Sequence, residues 1–231
     1  MHPYSYIGEN LARVSERIAL RASSLGVAAP TLLAVTKSAA PEEVRALVTT
    51  FGQRAIAENR TSLFCERYDL FSDEERPEIH LIGSLQTNKV KYIAGKVALI
   101  HSLDSLRLAA EIEKQSAKRE IVTRVLLEVN SGKEEAKGGV MPEEAEAFAN
   151  AVCEQFPHLS LCGVMTMAPI CASAEEVRPY FRETARLYRR LLDTGVICGE
   201  GVLSMGMSDS YECAVEEGAT VVRIGRALFY R

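Results

Sequence analysis

The sequence predicts an α/β protein, a (β/α)8 TIM-like barrel in a single domain with an extra N-terminal helix. Two observations predict this class. Short apolar runs alternate with amphipathic helical stretches after Pro30, a pattern typical of parallel sheets. The chain has 231 residues, which is enough for one such barrel, and eight candidate strands can be counted along it.

The first element is a helix from about Tyr4 to Leu25, where apolar residues recur at helical spacing and Gly26 acts as the stop. We expect residues 1–28 to form a helix packed on the barrel, and residues 1–231 to form one barrel domain that binds a cofactor. The candidate strands are Leu32–Thr36, Ala55–Glu58, Ile79–Ile82, Ala98–His101, Thr123–Asn130, Leu159–Met167, Gly201–Met205 and Thr220–Ile224.

Helical stretches separate these strands. Pro41 and Pro142 are each followed by two glutamates and predict helix starts, because proline in the first turn loses no hydrogen bond and acidic residues suit the positive end of a helix. Further helices are predicted over Asp104–Arg119, Ala174–Asp193 and Asp209–Gly218. The alternation implies right-handed crossovers and a parallel sheet. An open, doubly wound sheet is the alternative, since a strand count from one sequence is easily off by one.

Composition argues against several classes of protein. Charged residues make up 25% of the chain, the net charge is −4 and no basic run occurs, so nucleic acid is not expected as a partner. The first ten residues show no secretory signal, and no apolar run is long enough for a membrane span. The six cysteines form no C-x-x-C pair or zinc pattern. We therefore expect a cytoplasmic, monomeric protein with free thiols and no metal ion.

Lys37 ends the first predicted strand, at the edge where such barrels carry their active groups. One interpretation is a side chain that reaches water from the barrel rim. The other is an amine held in a low-dielectric mouth, where the neutral, nucleophilic form is favoured and can condense with an aldehyde. Position alone favours the first interpretation.

Residues suited to a phosphate follow the seventh and eighth predicted strands, whose loops commonly bind phosphate in these barrels. Ser208 offers a hydroxyl and can also cap a helix that starts near Asp209. Gly225 lets the backbone come close to a ligand, so the N–H groups of Gly225 and Arg226 can point at phosphate oxygens. Each residue alone is better explained as an ordinary cap or turn. Taken together, they support a phosphate site as well as they support an ordinary helix cap and turn.

Closure of the barrel would place the eighth strand beside the first. A phosphate there lies within a cofactor's length of the Lys37 amine, and an aldehyde at one end with a phosphate at the other is the layout of pyridoxal 5′-phosphate (PLP). Arg223, near the end of the eighth strand, can reach the pyridine nitrogen or form a salt bridge at the rim. Because arginine only donates, that nitrogen would stay unprotonated and the cofactor would be a weak electron sink.

Six segments carry a family pattern from the first strand to the last. They are residues 34–37 (AVTK), 58–59 (EN), 80–89 (HLIGSLQTNK), 163–167 (GVMTM), 203–209 (LSMGMSD) and 218–225 (GATVVRIG). With these segments the chain resembles the pyridoxal phosphate homeostasis proteins, also called YggS-like PLP-binding proteins, which are related to the barrel domain of alanine racemase. The ordered set is specific and covers nearly the whole chain.

The resemblance implies roles for particular residues. Lys37 is implied as the Schiff-base residue, Asn59 as a neighbour of the ring and Arg223 as the residue that faces the ring nitrogen. The implied phosphate ligands are Ser208 and the backbone of Gly225 and Arg226. Three positions depart from the family pattern, which usually has a glycine before the Glu-Asn pair, an aromatic residue after it and a glycine near the C-terminus. This chain has Ala57, Arg60 and Tyr230 there.

The resemblance implies a carrier or buffer that holds PLP reversibly in intracellular PLP homeostasis, has no catalytic residues and passes PLP to PLP-dependent apo-enzymes. The alternative is a PLP-dependent amino acid racemase of the alanine racemase type, which needs an acid/base group on each face of the substrate. In related racemases an added domain supplies the second group, a tyrosine, and none is expected before Arg231. A Schiff-base aldolase without PLP is a third possibility, but it gives Arg223 no role.

Two further sets of residues are interpreted as structural. His80 and His101 are expected to be packed strand residues rather than bases. The methionines near the ends of the sixth and seventh strands are expected in the core, with one or two touching the ring. They are Met165, Met167, Met205 and Met207.

Overall fold

A computed structural model of the chain describes residues 3–134, 137–169, 171, 173–197 and 199–230. Its strands are parallel and form one closed barrel in chain order, in which the last strand pairs with the first. The predicted barrel is confirmed, and the alternative of an open sheet is wrong because β8 pairs with β1 and closes the sheet without free edges. The strands are β1 Thr31–Val35, β2 Ala55–Glu58, β3 Glu78–Leu81, β4 Leu99–Leu103, β5 Thr123–Val129, β6 Leu159–Thr166, β7 Val202–Ser204 and β8 Val221–Ile224.

Helices connect the strands and cover the outside of the barrel. They are α1 Ser5–Leu25, α2 Pro41–Arg45, α3 Thr61–Asp69, α4 Val90–Ile93, α5 Leu106–Ala117, α6 Ala145–Gln155, α7 Ala174–Asp193, α8 Tyr211–Glu216 and α9 Arg226–Phe229. A π-helical turn, Ala46–Thr50, continues α2, and a 3-10 turn, Thr87–Lys89, precedes α4. None of the helices in the described ranges is long and apolar enough to cross a membrane.

Two predicted helix starts are wrong. The helix expected from Pro142 begins at Ala145, because the backbone N–H of Glu144 bonds to the carbonyl of Met141 and closes a turn before the helix. The helix expected from Asp209 begins at Tyr211 for the same reason, since residues 207–210 form a turn. The start at Pro41 is confirmed.

Helix α1 packs across the end of the chain. Its buried residues include Ile7, Val14 and Ile18, which share one helical face against α8 and α9. The helix stops at Gly26, which has a left-handed φ of 67° as expected of a cap. Asn10 on the same face donates from its amide nitrogen to two backbone carbonyls near the C-terminus, each at 3.0 Å. These bonds hold α9 against the first helix.

The barrel interior holds apolar residues on two sides and polar residues between them. One apolar cluster, contributed by β1 and β2, contains Leu33, Val35, Ala55 and Ala57. The other, contributed by β4, β5 and β6, contains Leu99, Leu126 and Met165. The buried polar side chains between them come from β3, β4, β7 and β8, and they are His80, His101, Ser204 and Arg223.

Gly83, two residues after β3, lies against the loop that follows β2. A Cβ at this position would stand 2.1 Å from the backbone carbonyl oxygen of Asn59. Glycine is therefore required because two backbones touch, and the contact fixes where Asn59 lies at the carboxyl end of the barrel.

Replacing Gly83 with alanine should destabilise the protein by about 1–3 kcal/mol, the usual cost of overpacking, because the backbone of Asn59 must move. Urea unfolding curves check this. Gly138→Ala is the control, since a Cβ there meets only Asp104 Oδ2 at an ordinary 3.6 Å. Equal stability of the two variants would contradict the contact.

Candidate cofactor site

A cavity of about 530 Å³ opens at the carboxyl ends of the strands. It brings together all six residues that the sequence singled out, from the two halves of the chain. They are Lys37, Asn59, Ser208, Arg223, Gly225 and Arg226. The remaining lining residues are Val35, Ile82, Gly83, Ser84, Met167, Met207 and Asp209.

Lys37 lies two residues after the end of β1 and is exposed at the mouth of this cavity. A buried network outside the barrel holds the chain on both sides of it. Thr36 donates its hydroxyl to Glu58 at 2.6 Å, and Arg67 of α3 donates to Glu58 at 3.2 Å and to the carbonyl of Ala39 at 2.8 Å. Burial raises the pKa of Glu58, while Thr36 and Arg67 oppose the shift. The network fixes the segment that carries the amine.

Asn59 follows β2 and lines the cavity beside Lys37. Its amide oxygen Oδ1 is buried and has no hydrogen-bond partner within the described part of the chain. A buried acceptor without a partner is costly, so a donor that enters the cavity gains a hydrogen bond there. The unpartnered oxygen therefore indicates a polar ligand.

Ser208 lies in the turn after β7, and its hydroxyl accepts a hydrogen bond from the backbone N–H of Ala227 at 3.3 Å. The expectation that Ser208 caps the next helix is wrong, because Ser210 precedes that helix and accepts from the N–H of Met207 at 3.1 Å. Ser208 instead joins the seventh loop to the first turn of α9. Backbone N–H groups in a first helical turn have no partner within the helix.

The last two predicted residues occupy that turn. A Cβ on Gly225 would lie 3.1 Å from the carbonyl oxygen of Val35, so close packing of β8 against β1 favours glycine here. This is a second reason for the glycine, beside the predicted close approach of a ligand. The side chain of Arg226 forms an ion pair with Asp209, which also lines the cavity. The cation offsets the negative charge at this end.

Arg223 lies in the barrel interior with its side chain directed to β7 and β6. It donates to the carbonyl and the hydroxyl of Ser204, both at 2.8 Å, and to the carbonyl of Thr166 at 2.9 Å. It is therefore buried, and the alternative of a salt bridge at the rim is wrong. Burial lowers the pKa of Arg223 to about 10, against the effect of Glu128, so the guanidinium remains charged at neutral pH. The guanidinium carries more donors than these three bonds use.

Glu128, in β5, is an ionisable group whose shifted pKa was not predicted from the sequence. Burial raises its pKa to about 7; Asp104 adds to the rise and Arg223 opposes it. Its carboxyl group is therefore part of the electrostatic environment of Arg223.

The family departures and the methionines are placed as follows. Ala57 is fully buried in the interior, while Tyr230 is exposed and does not line the cavity. Arg60 is exposed beside a neighbouring cavity. The expectation of core methionines is right for Met165 and Met205. It is wrong for Met167 and Met207, which are exposed in the cavity wall.

Known proteins share this architecture. The family model of the alanine racemase N-terminal domain matches residues 10–231. The pyridoxal phosphate homeostasis protein of Aquifex aeolicus is 45% identical over 223 residues, 96% of each chain. The crystal structure of an unknown protein from Bifidobacterium adolescentis is 31% identical, with a TM-score of 0.87 over 98% of this chain and 95% of that one. PipY from Synechococcus elongatus, solved with PLP bound, is 26% identical, with a TM-score of 0.81 over 97% and 100%.

The closed barrel and its cavity thus define a protein of the alanine racemase N-terminal domain class. Within this class, the chain belongs to the family of pyridoxal phosphate homeostasis proteins. The resemblance inferred from the six sequence segments is confirmed.

The pKa of Glu128 predicts a dependence of stability on pH. In the folded state its carboxyl group keeps its proton up to about pH 7, whereas its ordinary pKa is 4.5. The folded state therefore binds more protons between these values, and stability falls as pH rises through this window. Glu128→Gln, which imitates the protonated form, should lose less stability than the wild type between pH 5 and pH 8.

Urea unfolding at the two pH values measures this difference. Glu16→Gln, on the exposed face of α1, is the control and should follow the wild type. A Glu128→Gln variant that also follows the wild type would contradict the raised pKa.

Proposed function

We propose that this protein binds PLP reversibly as a Schiff base on Lys37 and serves intracellular PLP homeostasis as a carrier or buffer, without turning over a substrate. The observation that carries the proposal is the cavity, in which the amine of Lys37 and the Ser208–Arg226 end of the barrel share one space. The names of its relatives agree, and PipY was solved with PLP bound.

The residues of the cavity fit the cofactor. PLP supplies an aldehyde that condenses with an amine, and a phosphate that anchors the molecule. In our proposal the Lys37 amine takes the aldehyde and Arg223 donates to the ring nitrogen, while the unpartnered oxygen of Asn59 accepts a hydrogen bond beside the ring. The proposed phosphate ligands are the Ser208 hydroxyl and the backbone N–H groups of Gly225 and Arg226.

The cavity favours a carrier over a racemase. Racemisation needs a second acid/base group opposite the lysine. In the described part of the chain, the lining includes no tyrosine or histidine, and its one carboxylate, Asp209, is paired with Arg226. An arginine at the ring nitrogen also leaves the cofactor a weak electron sink. Lys37 is thus the only base that the described lining offers.

The exposure of the site agrees with a carrier. Lys37 lies at the open mouth, where an incoming amine can reach it and release the cofactor. We therefore propose PLP-dependent apo-enzymes as recipients and a monomer in the cytoplasm as the active form. Free thiols suit a reducing compartment, and Cys65, Cys162, Cys171 and Cys213 are free within the described part of the chain.

The Schiff base predicts colour. The protein loaded with PLP should be yellow, and borohydride followed by mass spectrometry of peptides should fix the cofactor to Lys37. After PLP loading and removal of free PLP, and before borohydride is added, Lys37→Ala should be colourless, whereas Lys118→Ala, at an exposed lysine at the end of α5, should match the wild type.

A wild-type protein that stays colourless in excess PLP would overturn the proposal. The proposal that the protein turns over no substrate has a separate test, in which PLP-loaded protein is incubated with a panel of L-amino acids. Neither racemisation nor decarboxylation should exceed that of free PLP, and steady turnover would favour the enzyme.

The phosphate end predicts selectivity. Ser208→Ala should weaken PLP binding about tenfold, the loss expected for one hydrogen bond to a charged group, but leave binding of pyridoxal, which lacks the phosphate, unchanged. Ser84→Ala, which removes another hydroxyl from the cavity wall, is the matched control and should affect both ligands equally. Titrations of the visible spectrum measure both affinities. Equal losses for PLP and pyridoxal in Ser208→Ala would contradict the assignment.

A further inference from the structure

A chain of buried side chains crosses the barrel interior from Arg223. Its guanidinium donates to the hydroxyl of Ser204 at 2.8 Å, which lies 3.1 Å from Nδ1 of His101. The Nε2 atom of His101 lies 2.9 Å from Nδ1 of His80. These residues belong to β8, β7, β4 and β3, so the chain joins strands that are not all neighbours. Each of the four is at most 8% exposed.

The two ends of this chain reach different surfaces of the barrel. Arg223 lines the cofactor cavity. At the other end, Nε2 of His80 is buried without a hydrogen bond among the described residues and faces Glu78 Oε2 at 3.7 Å. Glu78 is the first residue of β3, and its side chain is 69% exposed at the amino-terminal end of the barrel. Its contact with His80 lowers the pKa of Glu78, which keeps this end anionic.

The positive charge of Arg223 and the negative charge of Glu78 determine which atom donates in each hydrogen bond between them. Because arginine only donates, the Ser204 oxygen accepts from Arg223. Burial is the main reason that the pKa of His101 lies well below its usual range, and the nearby charge of Arg223 adds to the effect, so its ring is neutral with one N–H.

Nε2 of His80 faces the carboxylate of Glu78, so this nitrogen carries an N–H, since a lone pair there would face the negative charge. Nδ1 of His80 then accepts from Nε2–H of His101, whose Nδ1 accepts the Ser204 hydroxyl. The three hydrogen bonds from Arg223 to His80 thus run in one direction, from the cation towards the carboxylate that His80 faces.

We propose that this one-way chain, Arg223–Ser204–His101–His80–Glu78, orients Arg223 and sets how strongly it donates to the ring of bound PLP, so that Glu78 is a positioning residue for a cofactor site at the opposite end of the barrel. The inference rests on the proposed function. It assigns a joint role to two histidines that do not line the cavity.

The surroundings make such coupling effective. Apolar side chains flank the chain on both sides, Leu33 and Val35 on one and Leu99 and Leu126 on the other. In a low dielectric, aligned hydrogen bonds polarise one another and long-range charge is poorly screened. The other charged groups that act on the two ends are Arg124 near Glu78, and Glu128 near Arg223.

Glu78→Gln tests the proposal because it removes only the charge at an exposed position far from the cavity. Two readouts are used. Nitrogen-15 NMR of the histidine rings in protein free of PLP reports the tautomers of His80 and His101. The visible spectrum and the rate of PLP release in the loaded protein report the state of the cofactor site. Glu113→Gln is the matched control, since Glu113 pairs with His158 at 2.7 Å, outside this chain.

In the wild type, both His80 and His101 should carry their proton on Nε2. Glu78→Gln should shift this tautomer population, move the visible band and change the PLP release rate roughly 2- to 30-fold, the range seen for couplings through side-chain networks. Glu113→Gln should change none of these. In a Ser204→Ala background, which breaks the chain beside Arg223, Glu78→Gln should lose its effect on the cofactor.

Three results would overturn the inference. They are a wild-type His101 protonated on Nδ1, a Glu78→Gln protein indistinguishable from Glu113→Gln, or an effect of Glu78→Gln that persists in the Ser204→Ala background. A wild type that binds no PLP would defeat the proposed function instead, and the NMR experiment on unloaded protein would still test the direction of the chain.

Discussion

The interior of this barrel is organised around one buried cation. A guanidinium taken out of water is costly unless hydrogen bonds compensate it. Arg223 meets that need with oxygens of Ser204 and Thr166, which end β7 and β6. Satisfying the charge therefore holds the ends of three consecutive strands in one arrangement. The cavity lies at those ends, so its geometry depends on the same bonds.

A second buried network stabilises the other side of the cavity from outside the barrel. Glu58 accepts from Thr36 and from Arg67, and Arg67 also holds the backbone beyond Lys37. Removing one partner of such a buried pair is strongly destabilising, because the remaining charge has no compensation. The Lys37 side chain is exposed, yet the backbone on both sides of it is held by hydrogen bonds. This combination suits a site that must both hold a ligand and release it.

Most of the fold follows from local patterns, and the remainder depends on register. Strand boundaries agree within about two residues because each apolar run ends at a polar residue or a turn. The direction of a side chain across the barrel depends on pairing, which no local pattern reveals. His80 and His101 were therefore expected only as packed residues, and their mutual bond was missed. The capping alternative for Ser208 was wrong because its backbone partner, Ala227, is 19 positions away in the chain. That the six candidate residues share one cavity could be predicted, because a closed barrel brings the ends of its first and last strands together.

The pairing of β1 with β8, together with the bonds from Asn10 to the carbonyls of Leu228 and Tyr230, has a consequence for biosynthesis. Lys37 leaves the ribosome well before Arg226 is made. A nascent chain thus has the reactive amine long before it has the residues proposed to anchor a phosphate. Under the proposed function, complete capture of a vitamin B6 phosphate ester must wait until the segment around Arg226 has been made, and a product terminated before that segment would keep the amine while lacking its selectivity.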